Sequence, residues 1–385
     1  MKVLAGLLLS VLLAACSTAP LKESQPQSLF DDALFSAPTE QIDPGRIFTV
    51  SDEMRHYLDD EIAHKIYPDG KIFALINGLY HDSHLKFSYD ATKTLDAADT
   101  FHAQAGNCLS LTIMTAAYAK QMHLPVQFHS VLNGEIWDRN QNIDFLIGHV
   151  NLTVGAGGHA HAAAPESEAA RIIDFVAGEN LHNEWMEDIG EDVIVAMYLN
   201  NRAAEALTHG DLNNAYWWVR AAIQEAPTYM GAYNTLGVVY MRHQNPAQAE
   251  LVLQRVLNHE PDNVLALSNQ VQVLKTLGRG EEAQVLNRHL RELQPYPPFY
   301  FFNRGLTAMH DGDFQAARNE FTKEVNRASY NHQFHFWLAL ANYYLGNLSE
   351  TRRQLSIAME NSPNSQQHDL YAAKLAGMTG GSAPR

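Results

Sequence analysis

The stretch PTYMGAYNTLGVVYMRHQNPAQAELVLQRVLNHE, residues 227–260, decides the architecture of the second half of the chain. Its apolar residues recur with helical period only. Its leading proline belongs to a series: Pro227, Pro261, Pro295 and Pro363 are spaced 34, 34 and 68 residues apart, and Ser329 fills the missing step. Twelve residues before each of these stand Ala215, Ala249, Ala283, Ala317 and Thr351. Twenty-four residues before each stand Ala203, Gly237, Val271, Gly305 and Ala339. Mostly small residues at fixed places allow two helices to cross closely, and proline ends the second helix of each pair. From residue 196 onward the chain therefore reads as a helical array, and residues 46–195 carry mixed helix and strand signals.

This register resembles the tetratricopeptide repeat. The resemblance covers five units, residues 196–365, with residues 366–377 as a capping helix over the last apolar face. It implies a groove lined by the fifth position of each unit: Asn200, Asn234, Ser268, Phe302 and Phe336. Phe299, Met309, Leu340 and Tyr343 project nearby. Such a groove is polar first and aromatic later. Asparagine amides can pair with an extended peptide backbone, and aromatic rings can anchor its side chains. The alternative is that these rings pack on the first domain or on a longer capping element.

The length of 385 residues implies two or three domains. A hydrophobic fraction of 46% provides for a sizeable core and excludes global disorder. The formal charge of −16 is uneven. Residues 17–195 hold 27 acids and 10 bases, and residues 196–385 hold 16 of each. No basic stripe exists, which argues against nucleic acid as a partner.

At the N-terminus, Lys2 precedes an apolar run over residues 3–13, too short to span a bilayer and followed by polar residues. The run ends in Leu13-Ala14-Ala15-Cys16, which resembles the lipobox of bacterial lipoproteins. That resemblance implies a signal peptide at 1–15, a diacylglycerol on Cys16, and, from Ser17, an outer-membrane protein facing the periplasm. Each buried methylene of the lipid contributes about 0.8 kcal/mol to anchoring. A plain secretory signal is the alternative. Residues 16–45 then read as a tether with a short ordered patch at 29–35.

The chain has two cysteines, so lipidation of Cys16 leaves Cys108 alone in an oxidising compartment. Such a thiol is either buried and inert or kept for chemistry. Gly106-Asn107-Cys108 opens an apolar helix over 109–123, ended by Pro125. At a helix start, the macrodipole and free N–H groups favour a thiolate and can stabilise an adjacent oxyanion. Residues 126–132, 144–154 and 171–176 read as strands, with His149 in the second and Asp174 in the third.

A cysteine at a helix start, a histidine on one strand and an aspartate on the next resemble the transglutaminase-like superfamily of papain-type folds. The resemblance covers roughly residues 46–195. It rests on Gly106-Asn107-Cys108 with 116–125, on Gly148-His149-Val150 and on Ile172-Ile173-Asp174. It implies Cys108 as nucleophile, His149 as acid and base, and Asp174 as the residue that orients His149. Val150 departs from the family, where an aromatic often follows the histidine. Gln104 is a candidate second oxyanion donor, and His129 is the rival histidine. The fold class is thus an α+β transglutaminase-like domain followed by an all-α tetratricopeptide-repeat solenoid.

No cofactor is implied, because no phosphate loop or dinucleotide glycine motif occurs. No metal is expected: the zinc spacing His-Glu-x-x-His is missing, and His159 and His161, the candidate metal ligands, sit in a Gly/Ala/His loop whose alternative reading is a solvated loop. Two functions follow. One is an envelope-bound thiol enzyme of acyl-transfer type, a peptidase, amidase or transglutaminase, acting on a protein or peptide recruited by the repeats. The other is a non-enzymatic adaptor or scaffold lipoprotein. Thiol reactivity separates them. For the anchor, Cys16→Ser is expected to abolish lipid labelling and release the protein from membranes in a fractionation experiment. Unchanged attachment would refute it.

Overall fold

The computed structural model describes residues 26–81, 85–91, 93–140, 143–155, 169–175 and 186–379. The lipobox, Cys16, His159 and His161 lie outside the described residues.

The first region begins with short 3₁₀ turns at Pro26–Leu29, Asp32–Leu34 and Pro44–Arg46. These are followed by helices α1 (Asp52–Tyr57), α2 (Ile66–Asp69) and α3 (Lys71–Ile76). Strand β1 (Ser88–Tyr89) pairs in parallel with β2 (Ala105–Gly106), and α4 (Ala97–Ala103) lies between them in the chain. Helix α5 (Cys108–Gln121) is buried from Cys108 through Ala119. A helix that is apolar nearly all round belongs at the centre of a core.

After α5, a four-stranded antiparallel sheet forms from β3 (Val126–Asn140), β4 (Ile143–Val154), β5 (Arg171–Ile173) and β6 (Met186–Ile189), in the order β5-β4-β3-β6. The register sets Val131 opposite His149 and His129 opposite both Asn151 and Asp188. Strand β3 runs eight residues past the expected end at 132. Strand β6 was not foreseen, because its Met-Glu-Asp-Ile sequence has no apolar alternation.

Helix pairs follow: α6 (Glu191–Thr208) with α7 (Leu212–Glu225), α8 (Met230–Arg242) with α9 (Pro246–His259), and α10 (Val264–Thr276) with α11 (Gly280–Leu293). Then come α12 (Tyr300–His310) with α13 (Phe314–Arg327), α14 (His332–Tyr344) with α15 (Leu348–Glu360), and a last helix, α16 (Ser365–Thr379). The second helices of the pairs start at 212, 246, 280, 314 and 348, each 34 residues after the last. The small residues lie buried where the helices cross. A Cβ on Gly237 would meet Leu253 Cγ at 2.8 Å, and one on Gly305 would meet Phe321 Cε1 at 2.4 Å.

The structure departs from two expected boundaries. Helix α6 starts at Glu191 after the N-cap Gly190 and runs unbroken through residue 196, so no domain border falls there. One apolar core extends from Leu29 through α5 and α6 to Val273, and the array therefore does not stand apart from the first domain. The described part of the expected tether, residues 26–45, is a strap bound to the first repeats. The Phe35 ring stacks on Tyr216 at 4.0 Å. Tyr240 Oη donates to Leu29 O and accepts from Asp31 N, both at 2.9 Å. Trp217 Nε1 donates to Ser36 O at 2.6 Å, and Arg202 pairs with Glu40 at 3.0 Å. The strap's polar composition resembles a linker, but its polar groups find partners on α6, α7 and α8. At the far end, Ala91 N donates to Pro363 O at 3.0 Å, so the last repeat touches the loop after β1.

Four of the five turns inside the pairs use glycine with positive φ: Gly210, Gly278, Gly312 and Gly346 at 76–77°. Gln244 takes the same place with φ 63°. A Cβ on Gly278 would meet nothing within 4 Å, so its replacement tests the backbone alone. Gly278→Ala is expected to cost about 1–2 kcal/mol, the left-handed penalty of an L-residue. Gln244→Gly should gain up to about 1 kcal/mol, because the added freedom of the unfolded glycine offsets part of the relief. Urea unfolding of the two variants checks both signs.

Candidate active site

Three segments build the site. The first is the turn that opens α5. Asn107 caps it, with Oδ1 accepting from Ser110 N at 2.9 Å. The same oxygen accepts from Ser110 Oγ at 2.9 Å, while Asn107 Nδ2 donates to Thr94 Oγ1 at 3.0 Å. Cys108 thus occupies the first helical position and is only 2% exposed. Its approach is set by the β1–β2 pairing, in which Ser88 N donates to Gln104 O at 2.9 Å and Asp90 N to Gly106 O at 3.0 Å. Gly106 has no room for a side chain: a Cβ would lie 2.8 Å from Ser110 Cβ, and the Ser110 hydroxyl is itself tied down.

The second and third segments are β4 and β5. Their register pairs Thr153 with Ile172 and Leu152 with Ile173, which brings Asp174 alongside Asn151 one step on. His149 Nε2 meets Asp174 Oδ2 at 2.8 Å and Oδ1 at 3.0 Å, and both side chains are 4% exposed. Asn151 Nδ2 donates to Asp174 Oδ2 at 2.9 Å. Burial works against charge on His149. The hydrogen bonds and charges of Asp174 and Cys108 outweigh it and raise its pKa to about 10. His149 Nδ1 is buried and makes no hydrogen bond of good geometry.

An aromatic wall adjoins Asp174. Phe175 lies 5.4 Å from Tyr80, which lies 5.8 Å from Phe87. Tyr80 hydrogen-bonds Thr115 on α5. Gln104 is exposed and left-handed, with its side-chain oxygen turned toward Lys86 N. The rival His129 has both ring nitrogens engaged, with Asp188 at 2.8 Å and Thr153 at 2.7 Å. Sequence reading missed Asn151 and the capping role of Asn107. Both had a signal: Asn151 shares the strand face of His149 two residues earlier, and Asn107 with Ser110 has the spacing of a capped helix start.

The expected groove is only partly open. Asn200 is half-buried, and its Oδ1 has no partner among the described residues. Asn234 is 7% exposed, with Nδ2 on Asn263 at 3.4 Å and Oδ1 unpaired. Phe302 is not a groove residue. It is buried with Phe299, Phe321 and Phe334, since side chains this apolar fill the space between helices first. Phe336 stacks on Tyr371 of α16 at 5.3 Å, so the capping helix covers it. Tyr343 is half-buried against Tyr344.

A tetratricopeptide-repeat family model matches residues 234–297. The C-terminal region is built of tetratricopeptide repeats. Among curated proteins, the TPR repeat-containing protein YvcD of Bacillus subtilis is 23% identical over 190 residues, covering 48% of this chain. The chain spans 38% of the length of that relative. Among solved structures, YrrB, a TPR protein with an unusual peptide-binding site, matches 46% of this chain and 92% of its own at 18% identity and a TM-score of 0.25. A thermophilic TPR protein of Thermus thermophilus matches 48% of this chain and 98% of its own at 15% identity and a TM-score of 0.28. Tetratricopeptide repeats bind peptide or protein partners.

The raised pKa of His149 has a definite sign. Its charged form interacts favourably in the folded state, so this stabilisation is complete below its ordinary value of 6.5 and is lost as pH rises through about 10. Asp174→Asn removes the partner charge and should bring the His149 midpoint down by about 1–3 pH units. NMR titration of the ring signals checks this. A midpoint unchanged by the substitution would dissociate Asp174 from the shift.

Proposed function

We propose that the protein binds a protein or peptide partner through its repeats and acts on it as a thiol enzyme of acyl-transfer type. The observation that supports this most is the buried His149–Asp174 pair in the same domain as a cysteine at a helix start. In this reading, the thiol proton of Cys108 passes to His149, the resulting thiolate attacks an amide or ester carbonyl, and the oxyanion is held by N–H groups of the first turn of α5. His149 then gives that proton to the leaving amine or alcohol. A thioester results, and the now neutral His149 takes a proton from the incoming water or amine as the thioester breaks. Asp174 orients the ring throughout, and Asn151 holds Asp174. Water as acceptor makes the protein a hydrolase, and an amine makes it a transglutaminase. A lipid on Cys16 would hold this chemistry at the outer membrane, facing the periplasm.

A second reading has its own support. Cys108 is 2% exposed, and the family match falls on the repeats. An adaptor needs the repeats alone and treats Cys108 as a core residue. The two differ in thiol chemistry. On the enzyme reading, Cys108 is alkylated by iodoacetamide near neutral pH, and His149→Ala slows this by about tenfold or more, in the range that one acid–base partner contributes. Cys108→Ala should abolish turnover of acyl substrates while leaving partner capture intact. Slow labelling that does not depend on His149, with Cys108→Ala equal to wild type, leaves the adaptor.

A further inference from the structure

The repeat array and the thiol turn meet in a short chain of hydrogen bonds. Glu205 lies on α6, the first helix of the first repeat, and its Oε1 accepts from Thr94 N at 2.7 Å. The Thr94 hydroxyl oxygen accepts from Asn107 Nδ2 at 3.0 Å. Asn107 precedes Cys108, and its Oδ1 caps the helix at Ser110 N. The Ser110 hydroxyl donates to the same Oδ1 and accepts from Leu95 N, both at 2.9 Å. Thr94, Asn107 and Ser110 are 2%, 8% and 0% exposed, so solvent is a poor substitute for any link. Glu205 is itself held from behind. Arg202, one turn earlier on α6, approaches its other oxygen at 3.2 Å and also binds Glu40 of the strap at 3.0 Å.

We propose that Glu205 is a positioning residue for Cys108, so that the thiol site is complete only with the first repeat helix in place. The inference rests on the reading of Cys108 as a nucleophile and adds to it a residue from the other half of the chain. Glu205 acts through two intermediaries. It fixes the Thr94 backbone, and Thr94 then offers its hydroxyl oxygen to the Asn107 amide nitrogen. With the nitrogen held, the amide has one orientation left, with Oδ1 on the helix start. That orientation sets the direction in which Cys108 leaves the turn. Since an acceptor and not a charge is required, glutamine should serve at 205 and alanine should not.

The test uses the full chain and a double-mutant cycle between positions 205 and 149. Iodoacetamide labelling of Cys108 is measured in wild type, Glu205→Gln and Glu205→Ala, each with and without His149→Ala. A uniform gain or loss of access to the thiol cancels in the cycle. Expected is a His149 dependence of about tenfold or more in wild type and Glu205→Gln. In Glu205→Ala it should shrink to about twofold or less, because a misdirected thiol no longer meets the ring. Amide exchange over residues 94–112 should rise in Glu205→Ala, with the repeat melt still cooperative. A Glu205→Ala protein that keeps the wild-type His149 dependence overturns the proposal. If His149→Ala has no effect even in wild type, the nucleophile reading fails, and exchange decides the structural link. Faster exchange around Asn107 supports it, and unchanged exchange overturns it.

Discussion

A buried helix start has N–H groups that water cannot reach, and this constraint organises the structure around Cys108. Helix α5 is buried over twelve consecutive residues from its first position. Its opening turn must therefore be capped from within the protein. Asn107 meets that need for Ser110 N, and doing so requires its own amide nitrogen to be satisfied by Thr94. Thr94 N is satisfied in turn by a carboxylate from the repeats. A polar requirement at one turn thereby reaches across the chain. The same turn carries the one described free cysteine, so what caps the helix also aims the thiol.

The apolar core makes the same connection more broadly. Residues from the strap, α5, the sheet and the first three repeats belong to one cluster, whereas Phe299, Phe302, Phe321 and Phe334 form another in the last two repeats. Between them, Val271 and Leu274 of α10 and Ala283 of α11 form a small third cluster, followed by Pro295, Pro297 and Pro298 and the left-handed Phe299. Repeat arrays are held by nearest-neighbour interfaces, so such a break divides the array into units of different stability. The first repeats are part of the thiol domain's core, and the last two have a core of their own. The Ala91–Pro363 hydrogen bond returns the second unit to the loop beside β1.

The two halves carry two kinds of chemistry. In the repeats, the side-chain oxygens of Asn200 and Asn234, 34 residues apart, are buried without a hydrogen-bond partner among the described residues. The first domain offers His149, whose pKa the buried Asp174 carboxylate raises, and Cys108 at the start of α5. The aromatic side chains that looked suited to anchoring a ligand have other work. Phe302 stabilises the second core, and Phe336 is covered by α16.

The repeat register was legible in the sequence because it depends on residue size at fixed spacing, and a helix crossing tolerates little variation in size. The capping helix was legible for the same reason, since an array must cover its last apolar face. The helix that Cys108 opens and the strand that carries His149 could be read from helix and strand signals, whereas the strand expected at 171–176 ends at Ile173 and leaves Asp174 just beyond it. Several features could not. The strap is polar in composition, and only the folded repeats supply partners for its backbone. The border expected at 195 disappears because α6 serves both halves, and periodicity alone does not say which neighbour a helix face meets. Asn151, Glu205 and Thr94 are ordinary polar residues until pairing and packing bring them to Asp174 and Asn107. Spacing and residue type were enough to say where most helices and strands form and which residues can do chemistry. Which of those residues share a hydrogen bond was settled by packing, because that depends on approach between segments as far apart as Leu29 and Tyr240, 211 residues, which no local pattern encodes.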